Sequence, residues 1–243
     1  MEGNKDTKKH KLIVRTIKIS FQVITIDARN HGDSPHSADM SYNHMAQDVV
    51  QLMNDLGFEK STLVGHSMGG SAMMYVALNY PELVEKLIVV DMSPVRTSPS
   101  LIEMEKIFRA MKSVNLDGST TLTKARKKAE EQLADTVKPL TLRQVKSDVG
   151  KYQWRVNLPV LEQNFANRIA VFPSVGSKVY NGPTLFIGGG NSDYVKIEDH
   201  SKIKQLFPLA EFIYIDGANH WVHADKPTEF LKIAVNFING VQS

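Results

Sequence analysis

The chain has 243 residues, 42% of them hydrophobic, enough for one sizeable buried core, and α/β folds of this length commonly form one domain. Its 29 Lys and Arg against 26 Asp and Glu leave a net charge of +3, too small to hold nucleic acid along a whole face, so no nucleic acid partner is expected. The lack of cysteine excludes a disulfide framework, a thiol nucleophile and a thiolate metal site, and no run approaches the ~18 apolar residues of a membrane helix.

The first twenty residues carry a basic run, KDTKKHK (5–11), broken by Glu2 and Asp6, so they lack the acid-free pattern of a transit peptide and the apolar core of a signal peptide. Residues 1–20 are taken as a variable segment preceding a domain over 21–243. Short β-branched runs follow at 22–27 (QVITID), 61–64, 87–91 (LIVVD), 184–188 (TLFIG) and 211–216 (EFIYID), each closed by Gly, Asn, Ser or Asp. Continuous apolar runs of this kind predict strands buried on both faces. Between the first two, residues 41–56 place Met45, Val49, Leu52, Met53 and Leu56 on one stripe and predict a helix ending before Gly57. Strand and helix in alternation argue for a mostly parallel sheet with helical crossovers. Strand signals stop between about 96 and 180, where LIEMEKIFRAMKSV, TKARKKAEEQLAD and PVLEQNFANRIAVF predict a helical cap inserted into the sheet domain. The basic run KARKK (124–128) reads as solvated surface.

The chemistry concentrates in LVGHSMGGSAMM (63–74). Gly65-His66-Ser67-Met68-Gly69 follows a strand pattern and opens a helix, the setting in which G-x-S-x-G forms a sharp turn that exposes its serine. The flanking glycines are expected because side chains there would meet the strand or the helix. A serine hydroxyl needs a base, usually a histidine held by a carboxylate. Of eight histidines, His220 in DGANHWVHADKP has the right place, on a loop after a late strand; His223 makes a metal pair with it conceivable, but no further ligand cluster accompanies them, and no cofactor or metal is expected. His66 is expected to pack at the turn. Two aspartates compete for the carboxylate role: Asp193, after TLFIG, and Asp91, at the end of LIVVD. Either can instead cap a turn. Asp225 reads as a cap of the helix that starts near Pro227, and glycines 188–190 as a post-strand loop rather than a phosphate cradle.

With these motifs and DARNHGDSPHS, MSYNHMAQDV, PELVEKLIVVDMSPV, ARKKAEEQL, WRVNL, GPTLFIGGGNS and ANHWVHADKP, the chain resembles the α/β-hydrolase fold family from about residue 23 to 237. The resemblance implies hydrolysis of carboxylic, acyl or lipid-like esters by Ser67 and His220, with Met68 N–H as one donor to the oxyanion. It also implies a small-molecule ester or lipid substrate, room for a protein partner, and a mitochondrial location. It raises Asp91, used in related bacterial esterases, to near equality with Asp193, which stands at the position usual in the wider fold. Relatives precede the DARNHGDS strand with another strand, an H-G-x-x-G-type loop supplying a second oxyanion donor, and a helix; only 22 residues stand before Val23 here, and none fits that loop. The expectation is therefore a truncated hydrolase whose turnover is reduced by about 10²–10³. The competing reading is an inactive fold that serves as a binding protein.

Overall fold

The computed structural model describes residues 21–102, 104–117, 119–133, 145–148 and 151–241. Helix α1 (Tyr42–Asp55) starts at Ser41, whose hydroxyl accepts the His44 N–H at 3.3 Å. It buries Tyr42, Met45, Ala46, Val49 and Met53, while of the predicted stripe Leu52 is half-buried and Leu56, past the helix end, is exposed; Gly57 follows at φ +69°. Strand β1 (Ser61–His66) leads into α2 (Met68–Asn79), and β2 (Val84–Val90) follows. After the insertion come β5 (Thr184–Gly189), α7 (His200–Leu206), β6 (Ala210–Ile215), the short α8 (Val222–Asp225) and α9 (Pro227–Asn239).

The four strands pair in parallel in the order β1-β2-β5-β6, with His66 beside Val90 and Val90 beside Ile187. Along β2, Leu87 and Val89 point into a core shared with α1 and α2, while Ile88 and Val90 point into a second one shared with Val222 and Ala234 of α8 and α9. That alternation between two buried faces explains why LIVVD reads as an unbroken apolar run. The chain turns at the C-terminal ends of these strands, so Ser67, Asp91, the loop after Gly189 and the loop after Ile215 gather along one edge.

Two expectations are corrected. Residues 22–27 were expected as a strand, but the described chain makes a bridge at Thr25 alone there. A β-branched run becomes a strand through a continuous ladder with a neighbouring backbone, and among the described residues, 22–27 add no ladder to the sheet, whose described order β1 ends with Val64 48% exposed. Residues 1–20, including KLIVRTIKIS (11–20), lie outside the described residues. The insertion is also not wholly helical. After α3 (Pro99–Ile102), α4 (Met104–Ser113) and α5 (Leu122–Leu133) comes an antiparallel hairpin, β3 (Val145–Asp148) and β4 (Lys151–Trp154), before α6 (Leu158–Asn164). The Trp154 indole N–H donates to the Met111 carbonyl at 3.0 Å, tying the hairpin to α4. Below it, the Asn30 side-chain oxygen accepts from Ser37 N and Asn157 Nδ2 at 2.8 and 3.0 Å, which seats the insertion on the DARNHGDS turn.

Candidate active site

Ser67 sits between β1 and α2 at φ 54°, ψ −124°, a strained conformation for a residue with a side chain. Its own N–H is committed to the Val90 carbonyl at 3.1 Å. The strain persists because the strand and helix are packed so closely that a Cβ on Gly65 would lie 2.3 Å from the Gly69 carbonyl oxygen. The two motif glycines are not equivalent: a Cβ on Gly69 would meet nothing within 4 Å, contrary to the expectation that both are sterically required. Met68 opens α2, where backbone N–H groups have no partner inside the helix and the helix dipole favours negative charge.

His220 brings the site together. Its Nε2 lies 3.0 Å from Ser67 Oγ and its Nδ1 lies 2.8 Å from Asp91 Oδ2. Asp91 is 1% exposed and itself sits at φ 48°, a left-handed kink that turns the chain just past β2. Its carboxylate also accepts the Gly189 N–H at 3.0 Å and the Ser192 hydroxyl. A buried carboxylate with three donors is a satisfied anion, oriented from several sides. The approach of β5 to the His220 loop explains part of the triple glycine, because a Cβ on Gly189 would lie 2.4 Å from the Asn219 carbonyl oxygen.

Asp193 is placed elsewhere. It accepts the Ser98 hydroxyl at 2.7 Å and the Ser100 N–H and hydroxyl at 3.3 and 3.0 Å, at the start of α3. Burial raises its affinity for a proton, but those donors outweigh it and hold the carboxyl below the usual range. Asp225 accepts Asn219 N at 2.8 Å and so braces the loop that carries His220, and it stands one residue before Lys226, the N-cap of α9. His66 packs at the turn and reaches the His220 carbonyl through Nε2 at 2.8 Å. Burial, and His220 beside it, push its pKa down to about 4, so the ring is neutral and Nε2 carries the donated proton. His223 packs against His66 at 4.8 Å between centroids and against Phe230 at 6.0 Å.

Two residues here escaped the sequence reading. Ser192 supplies a hydrogen bond to Asp91, and Tyr194 lays its ring over His220, with centroids 3.8 Å apart and planes 16° apart. Both stand in GGGNSDYV on either side of the ionisable Asp193, and an aromatic and a hydroxyl flanking it were the available signal.

A strained serine turn, a histidine and a buried carboxylate at the C-terminal ends of a parallel sheet agree with the comparisons. The model of the alpha/beta hydrolase fold matches residues 8–227. This chain belongs to the alpha/beta hydrolase fold family. It is 44% identical over 222 residues to the sn-1-specific diacylglycerol lipase ABHD11 of Mus musculus, covering 89% of this chain and 71% of the relative. It is 32% identical over 228 residues to Esterase YbfF of Escherichia coli (strain K12), covering 94% and 87%. Among solved structures, a marine microorganism esterase superposes with a TM-score of 0.80 at 36% identity, over 89% of this chain and 85% of that one. These relatives place the chain among esterase- and lipase-like hydrolases of the alpha/beta hydrolase fold, and among the described residues no helix is long and apolar enough to cross a membrane.

Proposed function

We propose that this chain hydrolyses carboxylic esters, with lipid-like esters as the substrate class, using Ser67, His220 and Asp91. The observation that carries the reading is the single imidazole bonded to both Ser67 Oγ (3.0 Å) and Asp91 Oδ2 (2.8 Å). In this mechanism Ser67 Oγ attacks the ester carbonyl as His220 Nε2 takes its proton. Asp91 keeps the Nδ1–H pointed away from the serine and stabilises the imidazolium. The oxyanion forms beside Met68 N–H at the start of α2. His220 then returns the proton to the leaving alkoxide, and a water, deprotonated by the same ring, releases the acid and restores Ser67. The preference for lipid-like esters rests on the relative named as an sn-1-specific diacylglycerol lipase.

Purified protein should be labelled by a fluorophosphonate and should turn over a short p-nitrophenyl ester, and Ser67→Ala should lose both. Labelling without dependence on Ser67, or equal turnover by Ser67→Ala, overturns the assignment. A folded parent that neither labels nor turns over favours the reading of this fold as a binding protein.

A further inference from the structure

In three consecutive residues the loop after β5 reaches Asp91, the start of the insertion and His220. Ser192 hydrogen-bonds Asp91, Asp193 holds Ser98 and Ser100 at the start of the insertion, and Tyr194 covers the His220 ring. The loop is itself fixed from both sides: Asn191 N donates to the Ala218 carbonyl at 2.9 Å, two residues before His220, and Lys196 Nζ donates to the Ser192 carbonyl at 2.9 Å. Tyr194 is 7% exposed and Ser98 2%. Burial, with Asp193 and Asp91 nearby, pushes the Tyr194 pKa up to about 12, so the ring over His220 is a neutral phenol.

We propose that Tyr194 is a positioning residue for the reaction, holding the His220 imidazole between Ser67 and Asp91, and that Asp193 fixes Tyr194 by anchoring its loop to Ser98 and Ser100. The inference rests on the reading of Ser67, His220 and Asp91 as the reacting group. An imidazole held by two in-plane hydrogen bonds can still tilt about the line joining them, and neither bond resists that motion. A ring stacked at 3.8 Å does. The same stack acts more strongly once the imidazole has taken the serine proton, because a cation over an aromatic face is attracted by the ring quadrupole. The contact therefore favours the transition state over the ground state, which is the condition for an effect on kcat rather than on KM. Asp193 does not touch His220 in this arrangement; its three bonds to Ser98 and Ser100 decide where the next residue's ring lies.

The test uses the full chain and measures kcat and KM for a p-nitrophenyl ester alongside the rate of fluorophosphonate labelling. Positioned acid–base catalysis is worth ~10²–10⁴, so a partial loss of ring placement should remove roughly tenfold. Tyr194→Leu should lower kcat and the labelling rate by about that factor with KM within about twofold, and Tyr194→Phe, which keeps the stack without the hydroxyl, should recover most of the loss. Asp193→Ala should lower kcat by several-fold, and the Asp193→Ala/Tyr194→Leu pair should be no worse than Tyr194→Leu alone. The proposal is overturned if Tyr194→Leu keeps kcat within twofold, raises KM alone, or is not rescued by Tyr194→Phe. Full additivity of the pair removes the role of Asp193. Ser67→Ala in the same series separates the two failures: if it is inert while Tyr194→Leu matches the parent, only the inference falls, whereas if it matches the parent the site itself is misread and the inference falls with it.

Discussion

Two aspartates of equal standing in the sequence have different partners in the fold. Asp91 follows β2 directly, and its left-handed backbone turns its carboxylate toward His220; Asp193 stands four residues past β5 and reaches the insertion. Asp91→Asn should therefore reduce ester turnover by ~10³–10⁴, through loss of the anion that fixes the tautomer and stabilises the imidazolium. Asp193→Asn keeps the side chain's shape and one acceptor oxygen, and should stay within about tenfold. Comparable losses for the two substitutions would contradict this division of roles. The burial of Asp91 at 1% exposure makes the prediction sharper, because bulk solvent does not reach the carboxylate to replace a lost partner.

At the scale of the element, the strand–turn–helix unit of β1 and α2 shows which motif residue the turn needs. A Cβ at Gly65 would fall 2.3 Å from backbone that cannot retreat without moving the helix, while a Cβ at Gly69 has open space. Gly65→Ala should cost about 3 kcal/mol or more, or prevent folding, since the clash is with main chain rather than a flexible side chain. Gly69→Ala should be neutral or stabilise by ~0.5–1 kcal/mol, the usual advantage of alanine over glycine within a helix. Urea unfolding of the two variants checks this, and an equal destabilisation would show that the turn needs both glycines. The insertion departs from its predicted character at the same scale. The alternation in VKSDVGKYQW is four residues per strand, too short to compete with the long helical patterns on either side, yet antiparallel pairing of Val145 with Trp154 makes it a hairpin.

For the whole molecule, several histidines are held as neutral rings inside or against the core. His66 is pushed down to about 4 from the ordinary histidine value of 6.5, first by burial and then by His220; His31, His200 and His223 are lowered as well, each chiefly by burial. The sign follows from linkage. Between pH 6.5 and about 4 the unfolded chain binds a proton at His66 that the folded chain does not, so stability is full above 6.5 and falls as the pH drops through that window. The His66 contribution between pH 7 and pH 5 is about 2 kcal/mol. Unfolding free energies at those two pH values should fall by at least that amount in the parent, and His66→Gln should lose that part of the slope. A parent whose stability is unchanged from pH 7 to pH 5 would show that these rings accept protons without opening the structure.

What the sequence determined by itself was local and periodic. The buried parallel strands were legible in unbroken apolar runs, α1 in its stripe and the Gly57 after its end, and the serine turn in two glycines between a strand and a helix. His220 was legible in chain order alone. The tertiary structure decided whatever depended on a partner distant along the chain: that residues 22–27 bridge at Thr25 alone, that Asp91 and not Asp193 lies on His220, that Asp225 braces the His220 loop, and that Tyr194 covers the ring. The physical reason is common to all four. A strand, a hydrogen bond and a stacked ring each need a second group at a set distance and angle. Only the lateral order β1-β2-β5-β6 brings residues 67, 91, 194 and 220 within that reach.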